Sequence, residues 1–335
     1  MSAPDNILLI RLKSIGDVVL TLPAVNVVRN NFPAAKITVL TSRENVALLA
    51  GFPEVDEVMV LDRAALRSPN PFRVIGEFFG LLRQLRARKF DLVVDFQGYG
   101  ETAWLTRITG AAQRWGSVHK NSRSWAYTVA RPRADRLHPT DGYIQLLQDS
   151  GLKIGNAPND FQLPAAALAD AQKFLADQKI TAQPVLFLQP VTRSPHKAWP
   201  LANYLALARD FKARGGAVIF GGGPADRVRL EPARAEGFTI AAGQPLLVTG
   251  GLMKLSKLVI GGDTGAVHLA VALGQRVVML VHRFDPGTPV PFGHEDWAIR
   301  PLQRGDHIQT ITVERVLAAY QAALQPETIA NNLNR

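Results

Sequence analysis

The chain has no cysteine among its 335 residues. That excludes disulfides, thiolate nucleophiles and Cys-ligated zinc or iron–sulfur centres together, and it fits a reducing compartment. Long apolar runs are also missing: none approaches the roughly 18 residues of a membrane-spanning helix. The first residues, MSAPDN, lack the basic flank and apolar stretch of a secretory signal. Three phosphate and metal signatures are absent as well. There is no G-x-x-x-x-G-K-[ST] loop, no G-x-G-x-x-G after a strand, and no D-x-D pair to bridge a metal to a diphosphate. No short-period repeat or low-complexity tract interrupts the chain.

What is present is basic. Lys and Arg number 38 against 28 Asp and Glu, a formal charge of +10. Such a surface favours anionic partners: nucleic acid, phosphorylated sugars or an acidic membrane face. The chain lacks a helix-turn-helix, RRM or zinc pattern, so nucleic acid is not expected as a partner. The expectation is a cytoplasmic protein, peripheral on the inner face of the inner membrane.

The length exceeds one ordinary core and points to two domains. Short apolar runs at 7–12, 37–40, 58–61 and 92–96 predict strands in the first half. Runs at 185–188, 217–220, 239–241, 258–260 and 277–280 predict them in the second. Apolar on both faces and alternating with helical patterns such as 203–212 and 267–273, they predict an α/β chain of doubly wound parallel sheets. Residues 153–164, KIGNAPNDFQLP, have linker composition. The expected division is 1–158, 159–312, and a C-terminal segment 313–335 that opens with an amphipathic helix.

Ligands of open α/β sheets bind beyond the carboxyl ends of the strands, so loops there are the place to look. In LVIGGDTGAVHLAVALG, Gly261 and Gly262 end a strand and Asp263, Thr264 and Gly265 open a helix. Small residues there would let a ligand approach, and a helix N-terminus suits a phosphate. Thr264 would add a hydroxyl, and His268 faces the same mouth one turn in. The alternative is an ordinary N-cap at Asp263 or Thr264. In LFLQPVTRSPHKAWP, Thr192, Ser194 and Lys197 offer hydroxyls and an ammonium to phosphate oxygens, or form a solvated loop. In VIFGGGPADRV, Asp226 is a candidate acceptor for ribose hydroxyls, or a capping residue in a tight turn. In RLKSIGD, Gly16 would permit a sharp turn and Asp17 is either a helix cap or a general base.

Four segments together resemble glycosyltransferase family 9, the heptosyltransferases of lipopolysaccharide core synthesis. They are RLKSIGDVVLTLPA at 11–24, VVDFQG at 93–98, TRSPHKAWP at 192–200 and GGDTGAVHLAVALG at 261–274. The likeness spans nearly the whole chain, and D-T-G-x-x-H is its most specific core. It implies GT-B architecture, two Rossmann-like domains facing a cleft. It implies inverting, metal-independent transfer of heptose from ADP-heptose to a lipid A-linked acceptor, with no cofactor. By the same resemblance Asp17 is the base; Thr192, Lys197, Thr264 and Gly265 contact phosphate; and Asp263 lies near the donor sugar. Asp226 falls where the family's ribose acid is expected as Glu. Arg11 and Lys13 would hold acceptor phosphates or keep the acid charged, and Arg123 is the acceptor contact the pattern implies. One loop departs: HRFDPGTPVPFGHEDW stands where T-D-P and a glycine-rich stretch are expected.

Two clusters in the first half mix cations with aromatics. One holds Arg63, Arg67, Arg73, Arg83, Arg86, Arg88 and Lys89 with Phe72, Phe78 and Phe79. The other holds Arg114, Lys120, Arg123, Arg131, Arg133 and Arg136 with Trp115, Trp125 and Tyr127. They suit a phosphorylated glycolipid or an anionic membrane surface. The alternatives to the heptosyl reading are a family member using a different nucleotide-sugar and a GT-B sugar-nucleotide epimerase.

Overall fold

The computed structural model describes residues 3–65 and 68–325. Arg67 of the first basic cluster, and 326–335 of the C-terminal segment, lie outside the described residues. The chain forms two compact units, Met1–Asn159 and Asp160–Arg335. Residues 152–164 run between the units' regular elements without secondary structure.

The N-terminal unit contains strands β1 (Asn6–Ile10), β2 (Lys36–Ser42), β3 (Glu57–Leu61), β4 (Leu92–Asp95), β5 (Gln113–Val118) and β6 (Val129–Pro132). The C-terminal unit contains β7 (Val185–Gln189), β8 (Ala217–Phe220), β9 (Thr239–Ile240), β10 (Leu258–Gly262), β11 (Val277–Leu280) and β12 (Ala298–Ile299). Among the described residues each set forms one six-stranded sheet, ordered β3-β2-β1-β4-β5-β6 and β12-β11-β10-β7-β8-β9. Every pairing is parallel. Read from each unit's first strand, both orders are 3-2-1-4-5-6, the doubly wound arrangement. The order reverses between β1 and β4, and again between β7 and β10.

The alternation of side chains along a strand explains why these runs are apolar throughout. On β7, Leu186 and Leu188 pack with the helices Leu201–Ala213 and Val313–Ala323. Val185 and Phe187 pack on the opposite face, with Ala171, Leu252 and Val267 from three further helices. In the N-terminal unit Leu8, Ile10 and Val93 share a core with Leu81, Leu85 and Leu105.

The strands predicted in both halves are present, with ends shifted by one or two residues. The run 7–12 stops pairing at Ile10, and Arg11 and Leu12 begin the loop. Strands β5, β6 and β12 escape the sequence reading because they are not apolar runs; β6 is VARP, half-buried and then exposed. Gly16 is not at a turn. It lies inside the helix Ile15–Val19, buried, so the chain asks no special backbone of it. Among the described residues no helix is long and apolar enough to cross a membrane.

Gly98, just after β4, is where a glycine is required. Its φ is +66°, and a Cβ there would stand 1.6 Å from the Ser117 carbonyl oxygen. Gly110 shares the left-handed backbone, φ +74°, but has open space around it. Gly110→Ala is therefore expected to lose only about 1 kcal/mol, the cost of the backbone alone. Gly98→Ala adds a clash with main chain and should lose roughly 3 kcal/mol or more. Urea unfolding of the two variants side by side checks the difference; equal losses would refute the steric account.

Candidate active site

At the switch point of the N-terminal sheet, the loops after β1 and β4 are tied together. The Gln97 side-chain carbonyl accepts from Leu12 N at 3.2 Å and from Lys13 N at 3.3 Å. Gln97 is itself set by Asp95, whose Oδ1 accepts from Gln97 N at 2.8 Å and Gly98 N at 3.0 Å. The Tyr127 hydroxyl donates to the other oxygen of Asp95 at 2.6 Å. Asp95 is fully buried. Burial pushes its carboxyl above the usual range, and these hydrogen bonds only partly offset that.

Asp17 stands on this frame. Ser14 is the N-cap of the helix Ile15–Val19 and Asp17 is its third residue. The Asp17 Oδ2 accepts from Ser14 N at 2.8 Å and from the Ser14 hydroxyl at 3.0 Å. Its Oδ1 is 2.7 Å from the Arg11 guanidinium, and the Asp17 side chain keeps 32% of its exposure. Both sequence readings therefore hold at once: the carboxylate caps the helix and remains open to a ligand. Arg11, expected at the acceptor, is buried instead. It donates to the Phe96 carbonyl at 2.6 Å, pairs with Asp17, and lies over the Tyr143 ring. Its job is to hold the acid. Lys13 lies over the Tyr99 ring, 5.6 Å from its centroid, and Arg123 donates to the Gly98 carbonyl at 2.9 Å.

In the C-terminal unit the corresponding loops follow β7 and β10, and they too are tied. Lys197 Nζ is 2.6 Å from Asp263 Oδ2, and His268 Nε2 is 3.0 Å from Asp263 Oδ1. Asp263 keeps 8% of its side-chain exposure. Burial opposes its charge, but the hydrogen bond and charge of His268, joined by Lys197, outweigh it. The carboxyl lies well below the usual carboxylate range.

Several expectations change here. Thr264, not Asp263, is the N-cap of the helix Gly265–Ala272, accepting from Val267 N at 3.5 Å. His268 does not face an open mouth; it is buried against Asp263. The Thr192 hydroxyl donates to the Ser194 carbonyl at 2.8 Å, and Ser194 opens the short turn Pro195–Lys197. Gly262 leaves no room for a ligand: a Cβ there would meet Thr192 Cγ2 at 3.0 Å and the Lys197 carbonyl at 3.2 Å. It lets one loop lie on the other. Asp226 caps its own turn, accepting from Gly223 N at 2.8 Å, and keeps a weak pairing with Arg229 at 3.8 Å.

The sequence reading named VVDFQG without assigning its side chains, so Asp95, Gln97 and their partner Tyr127 were missed. It also missed His282, in the departing loop after β11. Its ring meets that of His196 at 5.1 Å, and both its ring nitrogens are buried without a partner in the chain. Burial, and then the nearby Lys197 charge, keep it below the usual histidine range. Of the basic clusters, Arg63 pairs with Glu101, Arg88 with Glu57, Arg131 with Asp149 and Arg133 with Asp135. Trp115 and Tyr127 belong to the core, whereas Trp125 is exposed.

Two Rossmann-like sheets with charged loops at both switch points have known counterparts. The profile of glycosyltransferase family 9 (heptosyltransferase) matches residues 78–313, most of the chain. The chain belongs to glycosyltransferase family 9. This family 9 enzyme is 28% identical over 297 residues to lipopolysaccharide heptosyltransferase 1 of Pseudomonas aeruginosa, covering 86% of this chain and 81% of that protein. The crystal structure of a family 9 glycosyl transferase from Veillonella parvula DSM 2008 superposes with a TM-score of 0.86 at 23% identity, covering 97% and 98% of the two chains. The E. coli heptosyltransferase WaaC with ADP-2-deoxy-2-fluoro heptose gives 0.75 at 22% identity, covering 95% and 99%. At such identities the structures establish the fold, which is GT-B.

The Lys197–Asp263–His268 contact makes a stability prediction for the family 9 enzyme. Asp263→Asn removes the charge that both cationic partners face, and should cost roughly 2–3 kcal/mol at pH 7. Because the folded carboxyl is held low, its contribution is complete above the ordinary aspartate pKa of about 3.9. It is lost as pH falls below that value, so the gap between the variant and the parent should narrow below about pH 4. Denaturation at pH 7 and at pH 3 reads this; a gap that widens in acid would contradict it.

Proposed function

We propose that this enzyme transfers heptose from ADP-heptose to a lipid A-linked, phosphorylated acceptor of the lipopolysaccharide inner core. The transfer inverts the anomeric carbon and uses no metal or cofactor. The observation that carries the reading is the partly open Asp17 carboxylate, aimed by Arg11 and Ser14 at the switch point of the N-terminal sheet. In this reading the N-terminal unit holds the acceptor and the C-terminal unit the donor.

Asp17 takes the proton of the acceptor hydroxyl as that oxygen bonds to the anomeric carbon. The bond from that carbon to the diphosphate breaks on the opposite side, ADP leaves, and one displacement gives one inversion. Charge grows on the leaving diphosphate. Lys197 places one N–H on Asp263 and has two more to offer. The Thr264 hydroxyl hydrogen and the first N–H groups of the helix Gly265–Ala272 complete a cationic and polar cradle. These groups stand in for the role a metal would play. Ser194 and Gly265 line the same loops, and Asp226 is assigned to the ribose. Lys13 and Arg123 are assigned to acceptor phosphates, with Arg11 acting through Asp17.

The donor assignment leans on relatives: the Pseudomonas protein is named a lipopolysaccharide heptosyltransferase, and WaaC was crystallised with an ADP-heptose analogue. His282, Arg283 and Phe284 occupy a loop where the family pattern differs, and they favour a second reading: the same chemistry with another nucleotide-sugar. An acceptor anchored in lipid places the work at the cytoplasmic face of the inner membrane, with no nucleic acid involved.

The test measures donor affinity and transfer separately. Asp17→Asn should keep ADP affinity and lose about 10²–10⁴-fold in kcat. Lys197→Ala should weaken ADP binding about tenfold or more, and transfer should persist in EDTA. Transfer by Asp17→Asn at the parent rate would remove Asp17 from the chemistry. Tighter binding of GDP- or UDP-sugars would move the assignment to the second reading.

A further inference from the structure

The helix Pro71–Ala87 presents an apolar stripe to solvent. Its start is well defined: Pro71 is its first residue, and the Asn70 side chain accepts from Phe72 N at 3.0 Å and Arg73 N at 3.4 Å. Yet it buries only Leu81 and Leu85. On the far side Phe72, Ile75 and Phe79 follow one another at helical spacing, 82%, 52% and 60% exposed. Phe78, 44% exposed, stands edge-on to Phe79. The stripe continues one and two turns on as Arg83 and Arg86, both exposed. From 71 to 89 the chain carries Arg73, Arg83, Arg86, Arg88 and Lys89 against Glu77. Glu77 falls nearer the buried side than the stripe. The adjoining helix Gly100–Ile108 exposes Trp104, whose ring meets that of exposed Trp125 at 4.7 Å.

We infer that this helix docks the enzyme on an anionic phospholipid bilayer. Phe72, Ile75 and Phe79 enter the interfacial layer, while Arg83 and Arg86 pair with headgroup phosphates. A basic helix with bulky apolar residues on its outward face is the chemistry of an in-plane membrane anchor. Exposed tryptophans beside it suit the same interface. A second copy of the chain is a poor occupant, because it would set five cations against five. The inference deepens the lipid-linked acceptor reading and rests on it for why a membrane is met. It is read without donor or acceptor, so its failure and the failure of transfer are separate results.

The experiment is co-sedimentation of the full chain with phosphatidylcholine vesicles, with and without phosphatidylglycerol. Binding is expected only with phosphatidylglycerol, and it should fall in high salt. The doubles Phe72→Ser/Phe79→Ser and Arg83→Ser/Arg86→Ser should each weaken it about tenfold or more. Their melting temperature and ADP affinity should match the parent, since all four side chains are exposed. Equal binding of parent and both doubles would overturn the proposal, as would no preference for phosphatidylglycerol. A parent dimer that Phe72→Ser/Phe79→Ser converts to monomer would also overturn it, by giving the face to a second copy.

Discussion

In a parallel sheet every connection must cross over, and the direction of crossing decides which face its helix covers. Where the order reverses, neighbouring strands send their chains to opposite faces, and a crevice opens at their carboxyl ends. Both units have that reversal, between β1 and β4 and between β7 and β10. The residues with chemistry in them all leave from those four strands. Asp17 and Gln97 sit at one reversal, Lys197 and Asp263 at the other.

A crevice alone would leave floppy loops. Each unit closes the gap with a side chain from one loop bonded into the other. In the N-terminal unit it is neutral, the Gln97 carbonyl on two backbone N–H groups. In the C-terminal unit it is charged, the Lys197 ammonium on Asp263. Glycines make both closures possible, Gly98 by its left-handed backbone and Gly262 by the absence of a Cβ. The difference suits the proposed labour: a carboxylate base wants a rigid frame, and a diphosphate wants cationic charge already gathered.

The two units also differ in how they treat their surfaces. The C-terminal sheet is covered on both faces by helices that bury most of their apolar residues. The N-terminal unit leaves Phe72, Ile75, Phe79 and Trp104 outside, close to most of its unpaired positive charge. An enzyme that meets a small soluble donor at one unit and a lipid-anchored acceptor at the other needs this asymmetry.

The sequence by itself determined the strand–helix alternation, the linker at 153–164 and the loops that hold Asp17, Lys197 and Asp263. Those signals are local: apolar runs, glycine before an acid, hydroxyls before a helix. The half-buried strands β5, β6 and β12 carry no such signal, and only neighbouring strands make them strands. Partnership was likewise decided by tertiary structure alone. Arg11 looks like a free cation in the sequence, and becomes a buried holder of Asp17 because β4 brings the Phe96 carbonyl beside it. His268 looks like a ligand contact, and becomes a buried partner of Asp263 because its helix packs into the core. A residue's type limits what it can bond to, but burial and the strand next door choose which bond it makes.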